Sequence, residues 1–412
     1  MSLIHLLLIT KAPYPTVRPA VTFLYGKYLP KYGVQSTLVS HATKEVDKQN
    51  VKWDGGGELM LFTSRSRSRI KDRLQRIFHD VKALRNVYER YDAIVIRDKI
   101  LTSLYALLVA KRCNIPFIYW MTYPFPEDDL LRVRVQGLSL GFIRLIYKWL
   151  RGHLTKWLLY RLLLPRCDHI FVISDQMKKE LIERGIPVDK MTPDPMGVDM
   201  ELIERIPQSD LKDFRLSGRK IIVYLGALDR TRRIDFFFEV LNQVRREEPN
   251  ALLLLVGDTE EAADREWLLR RAEEVGVADA VVLTGWLPRD QAWQYVKQAD
   301  VGVCALPSDY IFDTMSPTKV VEFLALGIPI VVNEHPEQAK LVMESKCGFS
   351  TSYDAWDFSK AILKILGDPK RARKMGERGK DYIRKTRSYD AIARDMAPLY
   401  KKILAEMKPT TK

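Results

Sequence analysis

Ser316-Pro317-Thr318-Lys319-Val320-Val321-Glu322-Phe323-Leu324-Ala325-Leu326-Gly327-Ile328-Pro329 reads as one short helix with both ends marked. The Ser316 hydroxyl suits an N-cap, and Pro317 suits the first helical position, where a missing N–H costs nothing. Gly327 supplies a C-terminal stop and Pro329 forbids continuation. The body is apolar on nearly every side, the pattern of a buried helix. Lys319 and Glu322 nevertheless sit one turn apart on one face. The N–H groups of Thr318 and Lys319, with the helix dipole behind them, favour a phosphate. The stretch is therefore either the wall of an anion site or a solvated Lys–Glu pair.

Apolar runs at 301–305 and 330–333 flank this helix, so it reads as a crossover between parallel strands. Working outward, further strands are expected at 221–225, 252–256 and 281–283, with helices near 234–246, 264–275 and 289–298. Helices at 356–366, 369–382 and about 389–407 complete this half. The first half alternates in the same way, more loosely. Strands are expected at 3–10, 35–40, 59–63, 93–97, 116–120 and 169–173. Residues 119–127 read as an aromatic, Pro-stiffened loop, and 187–198 as a Pro-rich linker. The expected fold is α/β: two Rossmann-like parallel-sheet domains facing a cleft. Their expected limits are 1–200 and 201–387, with a C-terminal helix at 388–412.

The 412 residues exceed one ordinary core, and 47% hydrophobic with 29% charged residues describe a globular chain. No run is apolar and long enough to span a bilayer. The N-terminal apolar run reads as a buried strand and not a signal peptide. Four scattered cysteines, Cys113, Cys167, Cys304 and Cys347, give neither a disulfide framework nor a zinc site and fit a reducing compartment. The formal net charge of +14 favours anionic partners. Within 138–165, Phe142, Tyr147, Trp149, Trp157 and Tyr160 interleave with Arg144, Lys148, Arg151, Lys156 and Arg161. That pattern suits a segment lying in an anionic membrane interface, with Gly152 expected to break its helix. A pair of ordinary amphipathic helices packed on the sheet is the alternative. The basic run 65–76 is a second candidate for the membrane surface. Nucleic acid ranks below both, because no binding module surrounds these residues.

Chemistry is expected at the strand ends. Gly226 follows a strand and leads into Arg230, Arg232 and Arg233, where a diphosphate could be clamped. Gly257-Asp258 and Gly285-Trp286 are two more glycine turns at strand ends. Asp258 could meet a ligand or hold its own turn. No GxGxxG, GxxxxGK[ST] or GxSxG pattern is present, and no metal or cofactor is expected. Glu334, His335 and Glu337 read as a polar loop.

Taken in order, 170–174, 196–199, 224–235, 254–258, 283–288, 300–305 and 316–332 resemble the retaining glycosyltransferase family 4, of GT-B fold. The resemblance covers about Cys167 to Ser388, and 1–40 and 92–120 fit more loosely. It implies a nucleotide-sugar donor in the cleft. Arg232 takes the place of a diphosphate-binding lysine, and Glu322 that of the glutamate that accepts the ribose hydroxyls. Gly226, Arg230, Thr318 and Lys319 join the diphosphate set, and the turns at Gly257, Asp258, Gly285 and Trp286 face the base. Arg18, Thr122, Tyr123 and Glu127 fall on the acceptor side. There are departures. Thr314 stands where a first glutamate is expected, leaving Asp313 as a substitute catalytic carboxylate. Ala227 replaces a basic residue, Ala12-Pro13-Tyr14-Pro15 replaces a glycine-rich loop, and no histidine follows Trp120.

The expected activity is transfer of a sugar, with retention, from a nucleoside-diphosphate sugar to a hydroxyl of a membrane-anchored glycan or glycolipid. The expected location is cytoplasmic, at the membrane face. A non-catalytic nucleotide-sugar-binding subunit and a nucleotide-sugar epimerase of the same fold remain open.

Overall fold

The computed structural model describes residues 3–16, 18–42, 51–63, 68–85, 87–88, 90–137, 141–207 and 213–407. Residues 65–67 of the basic run, 138–140 of the aromatic segment and 408–412 of the last expected helix lie outside the described residues. The chain forms two compact units, Met1–Pro195 with Tyr389–Lys412, and Met196–Ser388.

The first unit is built on seven parallel strands: β1 Ile4–Thr10, β2 Val34–His41, β3 Gly56–Phe62, β4 Ala93–Arg97, β5 Phe117–Met121, β6 His169–Val172 and β7 Met191–Pro193. Their order is β3-β2-β1-β4-β5-β6-β7. The central strands β1, β4 and β5 are buried almost throughout. They read as unbroken apolar runs because helices cover both faces of a parallel sheet. Helix Tyr389–Met407 belongs to this core. Its Tyr400 hydroxyl meets that of Tyr25 at 2.7 Å, and its ring packs on Phe171.

The second unit has six parallel strands: β8 Lys220–Leu225, β9 Ala251–Val256, β10 Val281–Leu283, β11 Val301–Cys304, β12 Ile330–Asn333 and β13 Gly348–Thr351. Their order is β10-β9-β8-β11-β12-β13, so sequence direction across the sheet reverses between β8 and β11. Such a reversal parts the loops at the carboxyl ends of the two strands and leaves a crevice there.

Several expectations are corrected. Residues 119–127 are not one loop, because Phe125–Gln136 is helical, with Pro126 in the first turn where proline costs no hydrogen bond. Gly152 does not break its helix, which runs unbroken over Phe142–Trp157. A Cβ at Gly152 would lie 2.8 Å from Leu130 Cδ2, so this glycine serves close helix packing. Residues 334–337 are not a polar loop. His335 caps helix Pro336–Ser345, accepting the Gln338 N–H, and Glu337 is buried against Arg387 at 2.6 Å. Strands β7 and β13 were hidden, one in the Pro-rich linker and one behind Gly348. A Cβ on Gly348 would come within 1.8 Å of the Ile330 carbonyl oxygen.

Candidate active site

The carboxyl end of β8 and the helix reached from β11 meet at the crevice of the second unit. Tyr224 lies near the end of β8 with its side chain buried. Lys319, in the first turn of helix Thr318–Ala325, donates to the Tyr224 hydroxyl at 2.5 Å and lies 3.8 Å above the ring. The Tyr224 hydroxyl in turn donates to the Ala227 carbonyl at 3.2 Å, closing the turn that Gly226 begins. Gly226 has φ of 125°, and a Cβ there would lie 3.5 Å from Lys319 Nζ. Arg232 approaches from the 3-10 turn Arg230–Arg232, its Nε held 3.0 Å from Asp229 Oδ2.

Charge is crowded at this point. Burial pushes the Lys319 ammonium down to about 8. Arg232 pushes it further the same way, while Cys304, Asp229 and Glu322 pull it back. Burial lifts the Glu322 carboxyl to about 7, against Arg289, a hydrogen bond from Trp293, and Lys319. Two half-buried cations, Arg232 and Lys319, thus share one spot with a single close carboxylate, Asp229, and a further anion would relieve them.

The start of helix Thr318–Ala325 adds to this. Pro317 occupies the N-cap position and no side chain caps the helix. The expected role of Ser316 as N-cap is corrected: its Oγ accepts the Met196 N–H at 3.0 Å, tying down the segment that enters the unit. An uncapped first turn has N–H groups to offer a ligand. The far end follows the sequence, with Gly327 at φ 79° and the Ile328 N–H returning to Phe323 O at 2.9 Å.

The three glycine turns lie side by side. Gly226 N–H donates to Val256 O at 2.9 Å, and Gly257 bridges Gly285 in antiparallel fashion. Gly257 has φ of 141°, and a Cβ there would fall 2.1 Å from the Gly226 carbonyl oxygen. Asp258 holds its own turn: its carboxylate accepts from the Thr259 N–H at 2.9 Å and from Arg265 at 3.1 Å. Trp286 is exposed beside it.

Other candidates are placed elsewhere. Arg230 turns to helix Ala262–Val275, pairing with Asp264 at 2.9 Å over the Trp267 ring. Thr314 is fully buried, donating to Ile311 O at 3.0 Å, while Asp313 accepts from Ser308 at 3.2 Å. No ion pair or hydrogen bond among the described residues joins Asp313 to Arg232, Lys319 or Glu322. In the first unit, Thr122 donates to Asp98 and accepts from Arg97 at 3.2 Å, at the carboxyl ends of β4 and β5. Tyr123 donates to Asp128 at 3.2 Å. Glu127 is buried between Lys156 at 3.6 Å and Arg184 at 3.5 Å, and Arg18 is exposed. Sequence reasoning missed Tyr224, Asp229, Arg97 and Asp98. Tyr224 looks like any aromatic in an apolar strand; Asp229, three residues before Arg232, was the readable signal.

The structure is one of two Rossmann-like units, the second of which carries a candidate anion site at the carboxyl ends of its central strands. Residues 208–382 match the family described as glycosyl transferases group 1, and residues 21–202 match Glycosyltransferase Family 4. The chain belongs to this glycosyltransferase family. Among curated relatives it is 24% identical to an alpha-monoglucosyldiacylglycerol synthase of Streptococcus pneumoniae, over 67% of this chain and 59% of that protein. It is 27% identical to a GDP-mannose-dependent alpha-(1-6)-phosphatidylinositol monomannoside mannosyltransferase of Mycolicibacterium smegmatis, over 49% of this chain and 51% of that one. The chain thus spans only 59% and 51% of the length of these two relatives. In fold it resembles Anabaena HepE in complex with UDP, with TM-score 0.71 and 15% identity, covering 97% of this chain and 100% of that one. It also resembles sucrose-phosphate synthase from Thermosynechococcus elongatus, with TM-score 0.70 and 18% identity, covering 98% and 100%.

Proposed function

We propose that this chain transfers a sugar, with retention of anomeric configuration, from a nucleoside-diphosphate sugar to a hydroxyl of a membrane-anchored glycan or glycolipid. The work is done at the cytoplasmic face of the membrane. The observation that carries the reading is the half-buried pair Lys319 and Arg232 beside an uncapped helix start, with Glu322 on the same helix. The donor diphosphate adds its charge to that of Asp229, which alone faces two cations here. Glu322, as carboxylate, accepts the ribose hydroxyls, and the turns at Gly257 and Gly285 admit the base.

In the reaction the bond between the anomeric carbon and the diphosphate oxygen breaks, and the electron pair leaves with the diphosphate. The acceptor oxygen bonds to the same face of that carbon, and its proton passes to the departing phosphate. Lys319, Arg232 and the helix N-terminus neutralise the charge that grows on the leaving group, so the protein supplies position and electrostatics and no dedicated base is needed. Asp313 is retained as a catalytic candidate and Arg230 as a diphosphate contact, each requiring movement of its present partner.

The reading of the nucleotide site is tested by thermal shift with UDP, GDP and ADP, followed by turnover of the matching donor sugars. A ligand that binds only the folded state raises the melting point, by about 2.7 kcal/mol of stabilisation at a hundredfold excess over Kd. No shift with any of the three overturns the nucleotide site. A shift without turnover favours a binding subunit.

A further inference from the structure

Three helices of the first unit leave large apolar side chains in solvent. Helix Phe142–Trp157 exposes Phe142, Ile143, Ile146, Tyr147, Trp149, Leu150, Leu154 and Trp157, with Ile143 at 83%. Helix Arg69–Ala83 exposes Leu74 and Phe78, and helix Ile100–Cys113 exposes Leu101, Tyr105 and Leu108. These helices adjoin. Arg73 donates to the Tyr147 hydroxyl at 3.0 Å, and Lys99 and Thr102 both donate to Asp80, at 2.7 and 2.9 Å. A patch of this extent on a soluble surface marks an interaction face.

Its charge identifies the partner. Helices Ile100–Cys113 and Phe142–Trp157 contain no Asp or Glu. The two acids of helix Arg69–Ala83 are already used, Asp72 by Arg76 at 2.8 Å and Asp80 by Lys99 at 2.7 Å. Arg151 and Lys156 turn inward to Asp129 and Glu127 and hold the helix on its neighbour Phe125–Gln136. Lys71, Arg73, Lys111, Arg112 and Arg144 stay exposed around the apolar side chains. A second copy of this face would set these cations against their like, which costs affinity. No helix among the described residues is long and apolar enough to cross a membrane.

We infer that these three helices form a single plate that inserts shallowly into an anionic lipid bilayer, with helix Phe142–Trp157 as its wedge. The apolar side chains enter the acyl boundary, Tyr147, Trp149 and Trp157 sit at headgroup level, and the outer cations meet lipid phosphates. The inference deepens the membrane-anchored-acceptor part of the reading above and adds helix Ile100–Cys113 to the contact. Because the plate inserts and does not merely adhere, salt weakens the attachment without abolishing it.

The test is flotation of the full chain with vesicles of phosphatidylcholine alone and of phosphatidylcholine mixed with phosphatidylglycerol, without donor or acceptor. The chain is expected to float with the mixed vesicles at low and at physiological salt, with a blue shift of tryptophan emission. Ile143→Glu with Leu150→Glu is expected to weaken binding about tenfold or more, the scale of one buried side chain. A second pair, Leu101→Glu with Leu108→Glu, reports on the added helix in the same way. All four side chains are exposed, so unchanged melting points separate lost binding from lost folding. Failure of the wild type to float at low salt overturns the inference, as does flotation of both pairs at wild-type strength. Sedimentation that shows a dimer dissolved by the same substitutions also overturns it, making the plate a self-interface. Donor turnover on a water-soluble acceptor is read separately, so loss of one result leaves the other standing.

Discussion

Lys319 and Tyr224 are joined twice, by a hydrogen bond of 2.5 Å to the hydroxyl and by the ammonium lying 3.8 Å from the ring centroid. They come from different strand–helix connections, 95 residues apart. The contact fixes a long flexible side chain over a rigid strand end, which is how a lysine becomes a positioned charge instead of a mobile one.

The first prediction concerns pH. Lys319 is charged below about 8 and loses its proton above it. Donor affinity should therefore fall as pH rises through 8. Glu322 is ionised above about 7, so affinity should also fall as pH drops through 7, when ribose hydroxyls lose their acceptor. The result is a bell, read by titrating nucleotide binding across pH. Glu322→Gln should remove the acid limb and Lys319→Met the alkaline one. Limbs unchanged in both variants would contradict these assignments.

The second prediction separates two arginines. Arg232 pairs with Asp229 and lies beside Tyr224 and Lys319, whereas Arg230 spends its charge on Asp264 and Trp267. Arg232→Ala should lower kcat/KM about 10²- to 10³-fold, the cost of removing a donor aimed at developing charge. Arg230→Ala should change it by only a few-fold. Steady-state kinetics with the melting point as control decide between them. Equal losses would mean that Arg230 swings into the site when donor binds.

A third prediction tests the glycine turns. Gly257 needs φ of 141°, and any Cβ would fall 2.1 Å from the Gly226 oxygen. Gly257→Ala should therefore cost about 4 kcal/mol or more, the range of single changes that force backbone apart. Urea unfolding measures it. Gly276→Ala, at φ 77° with open space around the Cβ, should cost only about 1 kcal/mol from the left-handed backbone.

The sheets were legible because buried parallel strands are unbroken apolar runs. The run at 251–256 could be little else. Strand β7 was not, since three residues ending in Pro193 carry no such run and join the sheet only at its edge. Lys319 and Glu322 were legible as polar residues that an apolar helix had no packing reason to keep. Tyr224 was not, because its value lies in a hydroxyl that only the tertiary fold brings to Lys319. Gly152 misled for a related reason. Its propensity says helix breaker, while the neighbouring helix requires the absence of a side chain there.

Ser316 gives the last prediction, and it turns on the same difference between local and tertiary partners. By sequence it caps helix Thr318–Ala325; in the structure its Oγ holds the Met196 N–H at 3.0 Å. Either loss costs about 1 kcal/mol, so stability alone does not separate the two roles. Amide hydrogen exchange does. In Ser316→Ala the Met196 amide should exchange faster, by about fivefold for a bond of that strength, while the amides of Thr318 to Val320 keep their wild-type rates. Accelerated exchange at the helix start with Met196 unchanged would restore the N-cap. Donor affinity should hold in this variant, because the first-turn amides that face the proposed diphosphate were never engaged by Ser316.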